Sequence, residues 1–465
     1  MLDLGLSSPR CGRRTFLRVG SLAALGGYGP FSLPDLLWAG ALAPGGVVRD
    51  RAVVLLHMQG GPSQLETFDP KPQAPVEMRT ATDVVATRVA GLSFGAGFPK
   101  LAARADRLTV VQSFVPGDAS HDIKPVVSAA TGKASLGAIY GRVAGTTHPT
   151  SGLPRSVWLN PVSIAADAEK PAAQFGNYAD PGLLGAGYAP FSPGSGGPLQ
   201  EAMRLSLPRA RFDDRRSLLA SLDGLRRTVD AGGTIEGLDR FQQQAFQVIV
   251  NGAADAFDLA QEDPRVVARY DTAPLVTPDQ IDRKWRNYEK YVSHAKSLGK
   301  LMLMARRLVE RGVGFVTVST DFVWDNHADS NNCGVVEGMR YCGLPFDHAV
   351  SNFLDDLEAR GLADKVLLVC VGEIGRTPRL NARGGRDHWG NLGPLLMAGG
   401  GLPRGRVYGR STRDGGEPQS DPVTQRDLVG TLLHALFDVG RVRLIPGMPT
   451  DLLRTAEARP IAGLA

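Results

Sequence analysis

The hydrophobic pattern of the chain resolves into a few apolar runs of strand length, each opening into a polar loop, with helical periodicity between them. The runs are Arg51–Met58 (RAVVLLHM), Arg107–Phe114 (RLTVVQSF), Val313–Thr320 (VGFVTVST), Val366–Val371 (VLLVCV) and Leu395–Ala398 (LLMA). Apolar character on both parities predicts strands buried on both faces, as in a parallel sheet. From Arg209 to Gly312 the apolar residues instead recur at spacings of three and four, with Phe241, Phe246 and Ile249 on one face and Leu298, Leu301 and Met304 on another. That period predicts a helical subregion over about 209–312 within the sheet fold. HAVSNFLDDLEARGLADK predicts an amphipathic helix ended by Gly361. A final helix has Thr424 or Asp421 as cap and Leu428, Leu432 and Leu436 as its buried face. Tyr178–Pro198, rich in Gly, Pro and Ser and without a period, reads as a long irregular connection packed on the surface.

In a parallel sheet the loops at the carboxyl ends of the strands share one edge, where ligands bind. Four such loops carry polar side chains: Gln59–Asp69, Gly117–Lys124, Asp321–Asp329 and Gly372–His388. They pool Glu66, Asp69, His121, Asp122, Asp325, His327, Glu373, Asp387 and His388, with Arg376 and Arg386 as cations. Carboxylates with imidazoles suit a divalent metal, with zinc, manganese or calcium as candidates, and a guanidinium beside it suits an oxyanion such as phosphate or sulfate. Bland readings stand beside this one: a turn capped by Ser63, Asx turns in the Asp321–Asp329 loop, and structural roles for His294 and His434.

Composition narrows the class. The 465 residues, 43% hydrophobic and 21% charged, suit a globular chain, and 56 Gly with 32 Pro suit many tight loops. A formal charge of +5 offers no basis for a nucleic-acid partner. Arg13 and Arg14 precede Phe16 and Leu17 and a modestly apolar stretch that ends in small residues at Ala39-Gly40-Ala41. This resembles a twin-arginine signal over 1–41, which implies export to the periplasm or cell exterior and leaves 42–465 as one domain. No later stretch approaches the roughly 18 apolar residues that span a bilayer. Cys333, Cys342 and Cys370 form no CxxC pair, so a zinc–thiolate site is not expected; Cys333 and Cys342 could close a small loop, and Cys370 reads as core.

Taken together, GRRTFL, GGPSQLETFDPKP, His121 before SAATG, WDNH, GEIGRTP and GGRDHWGNLGPLLMAGGG resemble the exported domain-of-unknown-function 1501 family, grouped with the alkaline phosphatase and sulfatase superfamily. The resemblance implies a three-layer α/β/α sandwich around a mostly parallel sheet, alkaline-phosphatase-like, with metal at the strand ends. It makes His388 resemble a late metal-binding histidine, and Asp325 with His327 a middle metal motif. Glu373 stands where an Asp-His pair is usual, and the nucleophile position falls near Asp122, beside Ser120 and His121. SHDIKPVVSAATG lacks the motif that is converted to formylglycine, which argues against sulfatase chemistry by that route.

The expected activity is an exported metal-dependent hydrolase of phosphate, sulfate or related esters on a small molecule or glycan. Metal ligands are expected in Asp325, His327, Glu373 and His388, and catalytic roles in His121, Asp122, Glu373, Arg376 and Arg386. The alternative is an exported binding or assembly protein that has lost the chemistry and recognises an anionic glycan or a cell-envelope partner.

Overall fold

The computed structural model describes residues 46–165, 167–194 and 253–464. The expected signal over 1–41 and the 209–252 part of the helical subregion lie outside the described residues. The central sheet has seven strands: β1 (Ala52–His57), β2 (Leu108–Val111), β3 (Ser156–Leu159), β4 (Phe315–Ser319), β5 (Val366–Val371), β6 (Leu395–Gly399) and β7 (Arg406–Tyr408). Their order across the sheet is β7-β2-β6-β5-β1-β4-β3. All neighbours are parallel except β6, which runs against both β5 and β2. The carboxyl ends of β1, β2, β4 and β5 therefore share one edge, and β6 starts from that same edge.

Strand β1 shows why both parities are apolar. Val54 and Leu56 point into one core, while Val53 and Leu55 point into the other. Each side chain is wholly buried, and burial of this kind is worth about 1.5–3 kcal/mol per side chain. The layers are completed by α1 (Leu136–Ala144), α2 (Tyr288–Glu310), α3 (Leu344–Ala359) and α4 (Gln425–Leu436). Helices α2 and α3 contribute to the first core, and α1 and α4 to the second, which makes a mixed α/β fold with helices on both faces of a mostly parallel sheet. Gly361, at φ +66°, follows the end of α3, and Thr424 caps α4 through the Asp427 backbone N–H. His294 is a core residue of α2 as expected, with burial pushing its imidazole down to about 4. Cys333, Cys342 and Cys370 are all buried free thiols.

Two edge strands, β3 and β7, were not evident from the apolar runs. The connection starting at Tyr178 is also not wholly superficial: Tyr178 is buried and stacks on Trp158 of β3, with ring centres 5.3 Å apart. Among the described residues no helix is long and apolar enough to cross a membrane.

Candidate metal centre

Three of the four loops meet around His121, Asp325 and His388, and Glu373 closes the back of the site. His121 Nε2 stands 3.0 Å from His388 Nε2 and 3.6 Å from Asp325 Oδ1, and His388 Nε2 stands 3.2 Å from the same oxygen. Each position has a local cause. Gly375–Arg376 and His388–Trp389 form a short antiparallel pair that sets His388 opposite Arg376, and Trp389 Nε1 anchors the second arm on the Gly416 carbonyl at 2.6 Å. The loop after β4 folds back on the end of β1, where the Val323 and Trp324 N–H groups donate to the Gln59 carbonyl at 3.3 and 3.2 Å. Gly60, at φ +112°, makes this approach possible, because a Cβ there would lie 2.6 Å from the Asp325 backbone nitrogen.

Asp325 is the electrostatic hub. Its Oδ1 accepts from Arg376 at 2.7 Å, and its Oδ2 accepts from His327 Nε2 and Asn332 Nδ2, each at 3.0 Å. Burial works against its charge, but Arg376 and the bonds from His121, His327 and His388 outweigh it and hold the carboxyl well below the usual carboxylate range. For His121 burial again opposes the charged form, while Asp325 and Glu373 shift the imidazole upward. His327 is shifted upward chiefly by its bond to Asp325. His121 Nδ1 lies 2.8 Å from Glu373 Oε1, which also accepts from the Gly60 N–H at 2.8 Å. Phe175 and Phe322 flank the His121 ring at 5.3 and 4.9 Å between centres.

Of the ligands expected from sequence, Asp325 and His388 offer atoms to one point together with His121, expected there only as a catalytic group; these three atoms lie within 4.8 Å of one another. His327 instead bonds the far oxygen of Asp325, and Glu373 stands behind His121. The expected oxyanion binders are placed differently. Arg376 is fully buried, donating to the carbonyls of Gly60, Gly61, Trp324 and Arg386 and to Asp325. Arg386, also fully buried, pairs with Glu66 at 2.9 Å and donates to the carbonyls of Arg79, Thr377 and Pro378. Glu66 thus belongs to a buried ion pair, and Asp69 bonds Ser411 and lies 3.0 Å from Lys71. Asp122 is exposed and within 3.1 Å of Ser120 Oγ, and Asp387 is exposed and accepts from Asn381. The apolar runs gave no hint of His57, Tyr178 or Asn332, although His57 is the one polar residue of its strand.

Asp321 opens the loop that carries Asp325. It is buried, its Oδ2 has no hydrogen-bond partner, and burial, opposed by Ser293 and Lys290, pushes the carboxyl up from 3.8 to about 8. Between roughly pH 4 and 8 the folded protein therefore keeps a proton that the unfolded chain releases, so stability falls as pH rises through that window. Asp321→Asn removes this dependence. Its melting temperature is expected to exceed wild type by about 2 °C or more at pH 8.5, with the gap closing toward pH 4; parallel curves for the two proteins across that range would refute the assignment.

A family model described as a protein of unknown function (DUF1501) matches residues 50–443. The chain belongs to the DUF1501 family. No curated protein matches this DUF1501 chain. Among solved structures it is similar to the phosphonate monoester hydrolase of Agrobacterium radiobacter, at 11% identity and a TM-score of 0.32, over 78% of this chain and 71% of that one. It is similar also to the PsFucS1 sulfatase from Pseudoalteromonas sp., at 10% identity and a TM-score of 0.33, over 93% of this chain and 75% of that one. Against Ps i-CgsB in complex with k-i-k-neocarrahexaose the match spans 34% of that chain and 30% of this one, at 13% identity and a TM-score of 0.20. At such scores the fold of the DUF1501 chain stands on its own sheet order and layers.

Proposed function

We propose that this DUF1501 protein is a metal-dependent hydrolase of phosphate, sulfate or related esters. The observation that carries the reading is the meeting of His121 Nε2, His388 Nε2 and Asp325 Oδ1 at mutual distances of 3.0, 3.2 and 3.6 Å. In the neutral ring, the form a metal ligand takes, the Nδ1–H of His121 goes to Glu373 Oε1 and Nε2 turns a lone pair toward a second imidazole and a carboxylate. Such a set is stable only around a shared proton or a cation. The edges also suit a metal, since bonds of about 2.0–2.1 Å in a tetrahedral site place ligand atoms about 3.3 Å apart. Three protein ligands leave one position open, which is the pattern of catalytic rather than structural zinc sites.

A divalent metal held there would supply Lewis acidity toward a phosphoryl or sulfuryl oxygen. The protein supplies the rest. Arg376 keeps Asp325 ionised, and His327 with Asn332 holds its second oxygen so that Oδ1 is presented. Glu373 fixes the His121 ring, and Phe175 with Phe322 shields one side of it. Export by the twin-arginine route, to the periplasm or cell exterior, is part of the same proposal and rests on Arg13, Arg14 and the apolar stretch behind them.

The test is metal content together with turnover on a panel of phosphate, phosphonate and sulfate esters. Metal in the purified protein and a fall of about 10²–10³ in kcat for His388→Ala are expected. Metal-free protein, inert across the panel, would refute the hydrolase. One observation favours the second reading, an exported binding protein: neither Arg376 nor Arg386 has a free guanidinium face for an oxyanion. That reading predicts metal or glycan binding without turnover.

A further inference from the structure

Behind the three ligand atoms runs a second line of buried polar groups. His57, the last residue of β1, is wholly buried. Its Nδ1 lies 2.7 Å from Tyr178 Oη, while its Nε2 lies 3.2 Å from the Lys124 carbonyl oxygen and 3.6 Å from Glu373 Oε2. The two groups facing Nε2 are a carbonyl and a carboxylate, and both only accept. The ring proton therefore sits on Nε2, Nδ1 is left as a lone pair, and the Tyr178 hydroxyl donates to it. Burial lowers the affinity of His57 for a second proton, in keeping with a neutral ring.

Both ends of this line are fixed. Tyr178 is stacked at 16° on Trp158, whose Nε1–H donates to Ser319 Oγ at 3.0 Å. At the other end, Glu373 Oε1 is taken by the Gly60 N–H and by His121, whereas Oε2 is buried with no hydrogen-bond partner. At 3.6 Å the Nε2–H of His57 is the positive end of a dipole directed at that bare oxygen, too long for an ordinary hydrogen bond and close enough to orient the carboxylate. Carboxylates and hydroxyls behind ligating histidines act in this way, by fixing the ring and its tautomer.

We propose that Tyr178 and His57 are positioning residues for the metal centre: Tyr178 sets the Nε2–H tautomer of His57, His57 orients Glu373, and Glu373 holds His121 with its Nε2 toward Asp325 and His388. The proposal rests on the metal reading above. It makes Tyr178, which enters from an irregular connection with no catalytic signature, a determinant of metal affinity. Neither residue touches substrate.

The experiment uses the full chain and two readouts. Nitrogen-15 NMR of the metal-free protein reads the His57 tautomer, and titration with Zn²⁺ or Mn²⁺ against a competing chelator reads affinity. Wild type is expected to show His57 protonated at Nε2. Tyr178→Phe, which keeps the stacked ring, is expected to populate the Nδ1–H form and to weaken metal binding about 10–100-fold. His57→Gln, which restores a side-chain N–H near Glu373, is expected to bind metal more tightly than His57→Ala. Wild type that binds metal while Tyr178→Phe binds it equally well with an unchanged tautomer would overturn the proposal and leave the metal centre standing. An Nδ1–H tautomer in wild type would overturn it as well. Failure of wild type to bind any metal would remove the metal reading itself.

Discussion

Asp325→Ala is expected to lose metal binding and, unlike His388→Ala, to lower folding stability by about 3–5 kcal/mol. The two effects share one cause. Arg376 is fully buried, and Asp325, 2.7 Å away, is the carboxylate that neutralises it. Removing one partner of a buried pair leaves an uncompensated charge, which is the costly case. His388 is about one-third exposed and supports no buried cation, so its loss acts on the metal while the fold persists. Asp325→Asn separates charge from shape, because it keeps the volume and abolishes the negative charge that Arg376 and the metal both use. Urea unfolding beside metal titration reads both effects. A loss below about 1 kcal/mol for Asp325→Ala would show that Arg376 finds compensation elsewhere.

Arg386→Ala is expected to destabilise by a similar amount, about 3–5 kcal/mol, rather than to impair turnover selectively. Its guanidinium bonds both oxygens of Glu66, at 2.9–3.2 Å, and three backbone carbonyls, and no donor nitrogen is left over. It ties the loop after β1 to the segment before His388 and so holds two walls of the site together. Glu66→Gln should reproduce part of the loss, and the double variant Glu66→Gln with Arg386→Met should be less damaged than Arg386→Ala, since no lone charge remains buried. Wild-type stability with a selective fall in kcat for Arg386→Ala would restore the oxyanion role that the sequence suggested.

These two arginines mark where the sequence stops being legible. Five apolar runs coincide with strands β1, β2, β4, β5 and β6, and the loops between them converge because parallel strands point one way. That logic placed His121, Asp325, Glu373 and His388 on a common edge. It did not reveal β3 and β7, which have four and three residues and sit on the outer edges of the sheet. Nor did it separate an arginine that meets solvent from one saturated by backbone carbonyls, because those carbonyls belong to Gly60, Gly61, Thr377 and Pro378 and leave no side-chain trace. His57 was hidden for the opposite reason: an imidazole at the end of an apolar run reads as core. The roles of His327 and Asn332, both bonded to the far oxygen of Asp325, depend on which side of one carboxylate each approaches, and spacing carries no information about that.

The most direct measurement is anomalous X-ray scattering from crystals of the full chain equilibrated with Zn²⁺ or Mn²⁺. A peak about 2 Å from each of His121 Nε2, Asp325 Oδ1 and His388 Nε2, absent in His388→Ala, is the predicted result. A metal bound elsewhere, or no peak at these three atoms at saturating metal, would contradict the metal centre and the hydrolase built on it.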